Sequence, residues 1–218
     1  MEYISCALIG YIIGMIAPAY FMGKFKGIDV RKKGLCDTSA SNSLILFGRL
    51  GGISCALLDF AKGFLAILLI SAVFPNSEYA IPVTAFFCIV GHAYPFYTDF
   101  VGGRGIACLN GIILAISWRF FLIVLVAEIF LAVISNRLYL VALSTPISLT
   151  AAYGIIKKDV IGAAILLALT AIVFLKYLPE LRAIKSNTET RISSILKLSG
   201  TASTDQASEE STTLSDNK

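Results

Sequence analysis

Apolar residues fill long stretches of this chain, and the charged residues between them divide it into seven segments. Three stretches of 19 or more residues contain no Asp, Glu, Lys or Arg, namely residues 3–23, 79–98 and 138–156. Each has about the 20 residues that an α-helix needs to cross the hydrocarbon core of a bilayer. The other apolar segments are 50–74, 105–118, 120–136 and 160–178. The pattern therefore predicts an all-α, polytopic membrane protein with about seven transmembrane helices.

The composition agrees with this prediction and excludes several functional classes. The 218 residues are 57% hydrophobic and 15% charged, with a mean hydropathy of +0.81, which excludes an ordinary soluble domain. No basic, aromatic-interleaved patch indicates nucleic-acid binding. The five cysteines are scattered and lack CxxC spacing, so neither a disulfide framework nor a metal site is expected. No cofactor is expected, and the sequence does not indicate an oligomeric state.

The distribution of Lys and Arg predicts the orientation in the membrane. Thirteen of the 18 lie in segments 24–49, 99–104, 136–137 and 176–197, whereas three lie in the loops of the opposite side. Positively charged loops remain in the cytoplasm. We therefore expect a multi-pass protein of the inner (plasma) membrane, with its N-terminus outside and its C-terminus in the cytoplasm.

The composition changes near residue 186. Fourteen of the last 33 residues are Ser or Thr, and few bulky apolar residues follow Leu198. Such a segment cannot bury a core, so we expect a membrane domain over 1–185 and a disordered cytoplasmic tail over 186–218. A docking or phosphorylation role for the tail is the alternative.

Two ionisable residues interrupt the second apolar segment. Asp59 and Lys62 are three residues apart, so they share one helical face and can neutralise each other. Ionisable groups inside a membrane span are costly, which makes them candidates for function. Two interpretations remain open: an ion pair that fixes helix packing, or a positive group presented to an anionic substrate.

Two loops on the predicted cytoplasmic side carry further polar residues. Glycines surround Arg104 in the segment 102–105, and a helix that begins there would direct its positive end at a phosphate. The first loop has a basic cluster suited to anionic lipid, followed by Thr38, Ser39, Ser41 and Asn42. Simpler interpretations are an ordinary glycine turn, a hydrogen-bonded interior His92 and a basic segment that only contacts lipid.

These segments resemble motifs of the bacterial membrane glycerol-3-phosphate acyltransferase family, the acyl-phosphate-using PlsY type. The family patterns are GxDIRxxGSGNxGATN, DxxKG, GHxFPxFxxFxGGKG and HRxNIxRLxxGTE. The chain has in the same order GIDVRKKGLCDTSASN at 27–42, DFAKG at 59–63, GHAYPFYTDFVGGRG at 91–105 and YLPELRAIKSNTE at 177–189. The likeness covers roughly residues 1–198.

The resemblance implies transfer of an acyl group from acyl phosphate to glycerol 3-phosphate, giving lysophosphatidate in phospholipid synthesis. The implied reaction needs no metal or cofactor, and the implied partners are the two substrates and membrane lipid. A catalytic role is implied for His92, Asn42 and Ser41. Binding of substrate phosphate is implied for Arg104, Gly102, Gly103, Gly105, Lys62 and Ser39.

The chain departs from the family patterns at several polar positions. Leu35 replaces a Ser, Ile45 an Arg, Arg104 a Lys, Tyr177 a His and Glu180 an Asn. The alternative hypothesis is therefore a non-catalytic paralogue that binds a lipid or a partner enzyme. A transporter is less favoured, because the charged residues cluster at one membrane face and not at the midplane.

Overall fold

A computed structural model describes residues 1–183 and 192–197, and helices joined by short connections make up nearly all of these ranges. The helices are α1 (Glu2–Gly14), α2 (Pro18–Phe25), α3 (Ala40–Val73), α4 (Ala80–Ala93), α5 (Ile106–Ile116), α6 (Trp118–Ser135), α7 (Leu138–Lys157) and α8 (Val160–Ala183). A 3-10 turn, Phe96–Thr98, follows α4. The described part of the chain contains no strand, so the all-α prediction is confirmed.

Six helical segments are long and apolar enough to cross a membrane. They are Glu2–Phe25, Ala40–Val73, Ala80–Thr98, Trp118–Ser135, Leu138–Lys157 and Val160–Leu178. The seventh predicted segment, 105–118, contains the apolar helix Ile106–Ile116, which has only 11 residues. The chain is thus a multi-pass membrane protein, whereas the seven-crossing count and the orientation of the termini remain predictions.

The first span is broken, although its sequence predicts one continuous helix. α1 ends at Gly14, and the extended Ala17 precedes Pro18, which occupies the first turn of α2. The break frees backbone groups that a membrane core cannot hydrate. Lys62 Nζ donates to the carbonyl of Ile16 at 2.5 Å, and Tyr97 Oη donates to the carbonyl of Met15 at 2.5 Å. Side chains from two other spans therefore stabilise the break.

The second span begins ten residues earlier than the apolar pattern predicts. Ser39 caps the first turn of α3, since its Oγ accepts a hydrogen bond from Asn42 N at 3.2 Å. Gly48 adopts a positive φ of 70°, which bends α3 between a short first part and the longer apolar part. The hydropathy pattern places the start of the span after Arg49, because the charge of Arg49 interrupts the apolar run at the bend.

Glycines bring the backbones of neighbouring helices into contact. A Cβ atom on Gly14 of α1 would lie 2.0 Å from the carbonyl oxygen of Cys88 on α4. A Cβ atom on Gly111 of α5 would lie 2.0 Å from the carbonyl oxygen of Phe60 on α3. These contacts hold α4 and α5 close to α1 and α3, and they bring polar residues of α3 and α4 next to the start of α5.

A buried polar network connects α5, α6 and α7. Glu128 is 7% exposed, its Oε2 accepts a hydrogen bond from Asn110 Nδ2 at 2.8 Å, and its Oε1 lies 2.5 Å from Thr145 Oγ1. A turn separates the short helix α5 from α6. The turn lies at Ser117, whose Oγ caps α6 by accepting from Phe120 N.

Only part of the predicted tail lies within the described residues. Residues 192–197 form a short helical turn, and Ser193 N donates to Asn136 Oδ1 at 2.9 Å in the connection between α6 and α7. The other residues of 186–218 lie outside the described residues, so the boundary near 185 and the disorder of the tail remain predictions.

Candidate functional site

Asn42 shapes the first loop, residues 26–39. Its Nδ2 donates to the carbonyls of Val30 at 2.8 Å and Asp37 at 2.7 Å, and its Oδ1 accepts from Leu35 N at 2.8 Å. The side chain is fully buried. Gly34 has a positive φ of 63°, and a Cβ atom there would lie 2.2 Å from Asn42 Oδ1. Within the described residues, the hydrogen bonds of the Asn42 side chain are thus all to the loop backbone, which indicates a structural function for a residue predicted to be catalytic.

Asp37 connects this loop to α3 and to Arg104. One carboxylate oxygen, Oδ1, accepts from both Ser39 N at 3.0 Å and Ser39 Oγ at 2.6 Å. The other, Oδ2, accepts from Arg104 Nε at 2.8 Å. The Arg104 guanidinium also lies 5.6 Å from the ring centroid of Tyr177 on α8, within cation–π range. Asp37, Arg104 and Tyr177 therefore bring two loops and the last span together.

The glycine turn before α5 hydrogen-bonds mainly to the end of α4. Gly102 N donates to the carbonyl of Ala93 at 3.1 Å, and Gly103 N donates to the carbonyl of His92 at 3.0 Å. Gly105 N donates to His92 Nε2 at 3.0 Å. The sequence predicts that these amides face a phosphate, but they satisfy the last carbonyls of α4 and its histidine instead. The amides available in this region are those of the first turn of α5.

Steric contacts explain why this turn requires glycine. A Cβ atom on Gly102 would lie 2.2 Å from the carbonyl oxygen of His92, and one on Gly103 would lie 2.4 Å from His92 Nε2. Gly105 has a φ of 87°, a conformation that residues with a side chain rarely adopt. The turn is thus packed against His92 too tightly for any side chain except that of Arg104.

A buried polar cluster lies behind the turn. His92 Nδ1 lies 3.5 Å from Asp59 Oδ1, and Lys62 Nζ lies 2.8 Å from the same oxygen. All three side chains are at most 5% exposed. The predicted Asp59–Lys62 ion pair is therefore present. Since Lys62 also donates to Ile16, its contacts support the packing interpretation and not direct contact with substrate phosphate.

Arg31 fixes the outer part of the first loop. Its Nε lies 2.9 Å from Asp29 Oδ1, and its Nη1 lies 2.5 Å from Asp99 Oδ2 in the second loop. The side-chain hydrogen bonds from Arg31 Nε and Nη2 to Asp29 hold the pKa of Asp29 below its usual range, and Asp29 in turn raises the pKa of Arg31. A cavity of about 250 Å³ adjoins this pair and includes Tyr20 and Lys24 in its wall.

The structure brings together most of the predicted site residues, and their catalytic and binding functions remain predictions. Ser39 caps α3, and Asn42 supports the loop. Ser41 lies in the first turn of α3, half-buried, and its hydroxyl has no hydrogen-bond partner within the described residues. Lys62 lies behind His92. Arg104 is held in place at the junction of both loops.

One site residue, Asp37, was not predicted, and Thr38 was noted only as one of the polar residues that follow the basic cluster. Asp37 precedes the capping Ser39 by two positions, a local arrangement typical of an Asx turn, but its pairing with Arg104 crosses 67 positions. Thr38 is 1% exposed, and its Oγ1 has no hydrogen-bond partner in the described part of the chain. The side chain of Glu180 lies outside the described residues, and no cluster of metal-ligating side chains occurs among those described.

Proteins of known family are similar to this chain in sequence, and a solved structure is similar to it in fold. A protein from Oceanobacillus iheyensis, glycerol-3-phosphate acyltransferase 1, is 35% identical over 205 residues, covering 89% of this chain and 97% of the relative. A glycerol-3-phosphate acyltransferase from Cereibacter sphaeroides is 30% identical over 215 residues, covering 96% of each.

A solved structure of PlsY, an integral membrane glycerol 3-phosphate acyltransferase in its glycerol 3-phosphate form, superimposes with a TM-score of 0.80. The sequence identity is 22%, and the match covers 88% of this chain and 96% of PlsY. The family model of glycerol-3-phosphate acyltransferase matches residues 4–187. The chain therefore belongs to the glycerol-3-phosphate acyltransferase family.

Proposed function

We propose that this protein transfers an acyl group from an acyl phosphate to the 1-hydroxyl of glycerol 3-phosphate. The products are lysophosphatidate and inorganic phosphate. The hydroxyl oxygen forms a bond to the acyl carbonyl carbon, the bond from that carbon to the phosphate oxygen breaks, and the hydroxyl proton ends on the released phosphate. The observation that carries this proposal is the Asp37–Arg104 contact, which joins two family motifs beside the start of α5.

Arg104 is the main candidate for binding the phosphate of either substrate. It lies two residues before the first residue of α5, whose first-turn amides have no acceptor within the helix and whose dipole favours an anion. The first backbone bond of α5 is from Leu109 N to the carbonyl of Gly105 at 2.8 Å. A guanidinium and a helix N-terminus at one place suit two oxygens of a phosphate group.

The hydroxyls of the first loop are candidates for stabilising the transferring carbonyl. Thr38 and Ser41 have hydroxyls without a partner in the described part of the chain, whereas Ser39 Oγ is hydrogen-bonded to both Asp37 and Asn42. Because a donor already used by the fold cannot also bind substrate, we assign this function to Thr38 and Ser41. Ser39 and Asn42 shape the loop.

The departures from the family patterns support an active enzyme and not a non-catalytic paralogue. The patterns have Asn at position 37, Lys at 104 and His at 177, and this chain has Asp37, Arg104 and Tyr177. Arg104 contacts both of the others: its Nε lies 2.8 Å from Asp37 Oδ2, and its guanidinium lies 5.6 Å from the centroid of the Tyr177 ring. A planar guanidinium suits both a carboxylate and an aromatic face better than an ammonium does. The three changes therefore compensate one another.

The test is an assay of the purified protein in lipid bilayers with a panel of substrates. Acyl phosphate, acyl coenzyme A and free fatty acid are each supplied with glycerol 3-phosphate, glycerol or glycerol 2-phosphate. We expect lysophosphatidate only from acyl phosphate with glycerol 3-phosphate. Equal rates with glycerol would contradict an anionic acceptor, and equal rates with acyl coenzyme A would contradict acyl phosphate as the donor.

A further inference from the structure

Both ring nitrogens of His92 face groups of the protein itself. The family resemblance implies a catalytic role for it, and in the structure Nε2 accepts the hydrogen bond of Gly105 N–H at 3.0 Å. An amide N–H can be accepted only by an imidazole nitrogen that carries no proton. The proton of the neutral ring must then be on Nδ1, which faces Asp59 Oδ1 at 3.5 Å. The hydrogen bond therefore determines the tautomer.

The charged groups around His92 support this assignment. Asp59 is the acidic partner, and Lys62 neutralises it from 2.8 Å. Lys176 of α8 donates from Nζ to the carbonyl of Ala93 at 2.9 Å, so a second ammonium lies near the ring. A proton added to the neutral ring would occupy Nε2 and break the Gly105 bond, so the contacts around His92 suit its neutral form.

The same imidazole controls the start of α5. Gly105 caps α5 in a left-handed conformation without a side-chain cap, and its carbonyl accepts the first backbone bond of the helix. The Gly105 bond to His92 thus fixes both the turn that carries Arg104 and the direction of the first α5 amides.

We propose that His92 is a positioning residue: the Nδ1-protonated imidazole, held between Asp59 and Gly105 N–H, fixes the Arg104 turn and the α5 N-terminus and does not accept the substrate proton. This inference rests on the proposed function for its consequence in catalysis. The tautomer itself depends only on the fold.

The direct test uses the fact that the chain contains one histidine. Protein labelled with ¹⁵N at His and Gly in lipid nanodiscs gives two imidazole nitrogen signals that belong to His92 alone. We expect a protonated Nδ1, an unprotonated Nε2 and a scalar coupling across the hydrogen bond from Gly105 N to Nε2. Glycerol 3-phosphate should leave this pattern unchanged. A protonated Nε2, or proton transfer to it on adding glycerol 3-phosphate, would overturn the inference.

Kinetics of two variants provide a second test. In His92→Gln the side-chain oxygen can still accept the Gly105 hydrogen bond, whereas in His92→Leu it cannot. We expect His92→Leu to raise KM for glycerol 3-phosphate roughly 10- to 100-fold, as for loss of a buried hydrogen bond. His92→Gln should retain most of kcat and the wild-type pH profile. Equal loss of kcat in both variants, with loss of one limb of the pH profile, would identify a proton acceptor instead.

The two tests separate this inference from the proposed function. If the wild type shows the expected tautomer but no acyl transfer, the proposed function fails and the positioning of α5 by His92 stands. If the wild type transfers acyl groups but has a protonated Nε2, the positioning inference fails alone.

Discussion

Replacing Asn42 by Ala distinguishes a loop-supporting residue from a catalytic one. The change removes three hydrogen bonds, two from Nδ2 to the carbonyls of Val30 and Asp37 and one from Leu35 N to Oδ1. No water reaches the fully buried side chain in the folded state to replace them. The first loop should therefore lose its shape, and with it the position of Asp37 against Arg104.

The expected magnitude follows from the number of bonds. At roughly 1 kcal/mol for each of three hydrogen bonds, the free energy of unfolding should fall by about 3 kcal/mol. For a chain of this size that corresponds to a decrease in Tm of roughly 6–12 °C. Asn42→Asp should be at least as destabilising, because a carboxylate keeps the acceptor but repels the two carbonyls.

Thermal unfolding in detergent micelles measures this effect, with Ser41→Ala as the matched control. Ser41 is the preceding residue, and its side chain has no hydrogen bond within the described residues, so its removal should change stability by about 0.5 kcal/mol or less. If Asn42→Ala melts like the wild type and loses only kcat, the structural assignment is wrong and Asn42 is catalytic.

Three further predictions concern topology and charge. Cys36 is the one exposed thiol among the described residues, and an impermeant maleimide should label it in inside-out vesicles but not in intact cells. A cysteine introduced by Asn76→Cys should be labelled in intact cells instead, and labelling of both positions from one side would contradict the predicted orientation. Lys62→Met should destabilise the protein by about 3–5 kcal/mol because it leaves a buried carboxylate unpaired, and adding Asp59→Asn should restore most of the Tm; an additive double variant would contradict the pair. Because the pKa of Asp29 is lowered in the fold, its ion pair with Arg31 stabilises the first loop at any pH above the ordinary pKa of Asp, and this stabilisation is lost as the pH falls through the lowered pKa. Hydrogen exchange of the loop amides should show this opening in acid, and in Asp29→Asn the loop should be open already at neutral pH.

The sequence was sufficient to predict the helical spans but not their breaks. Hydropathy depends on the average character of about 20 residues, so the long apolar runs identified the membrane segments directly. The break at Met15–Ala17 has no charge, and its stabilising groups, Lys62 and Tyr97, come from distant parts of the chain. Pro18 was the only local signal of that break.

The sequence was sufficient to predict the members of the candidate site but not the contacts of their side chains. Motif order and spacing identified Asn42, His92 and Arg104. Which donors remain available depends on long-range contacts, as for Gly105 N, whose acceptor lies 13 positions away on another helix. The ion pair between Asp37 and Arg104 forms only because two loops meet in space, and the sequence pattern does not indicate that these two loops are in contact.

The most direct test of the account is a comparison of lysophosphatidate and inorganic phosphate formation by the wild type and by Arg104→Ala, both reconstituted in bilayers. We expect the wild type to form the two products in equal amounts from acyl phosphate and glycerol 3-phosphate. We expect Arg104→Ala, folded by thermal melt, to reduce kcat/KM roughly 10- to 150-fold, the range for loss of a hydrogen bond to a charged group. A folded wild type that forms no lysophosphatidate, or an Arg104→Ala variant with wild-type kcat/KM, would contradict it.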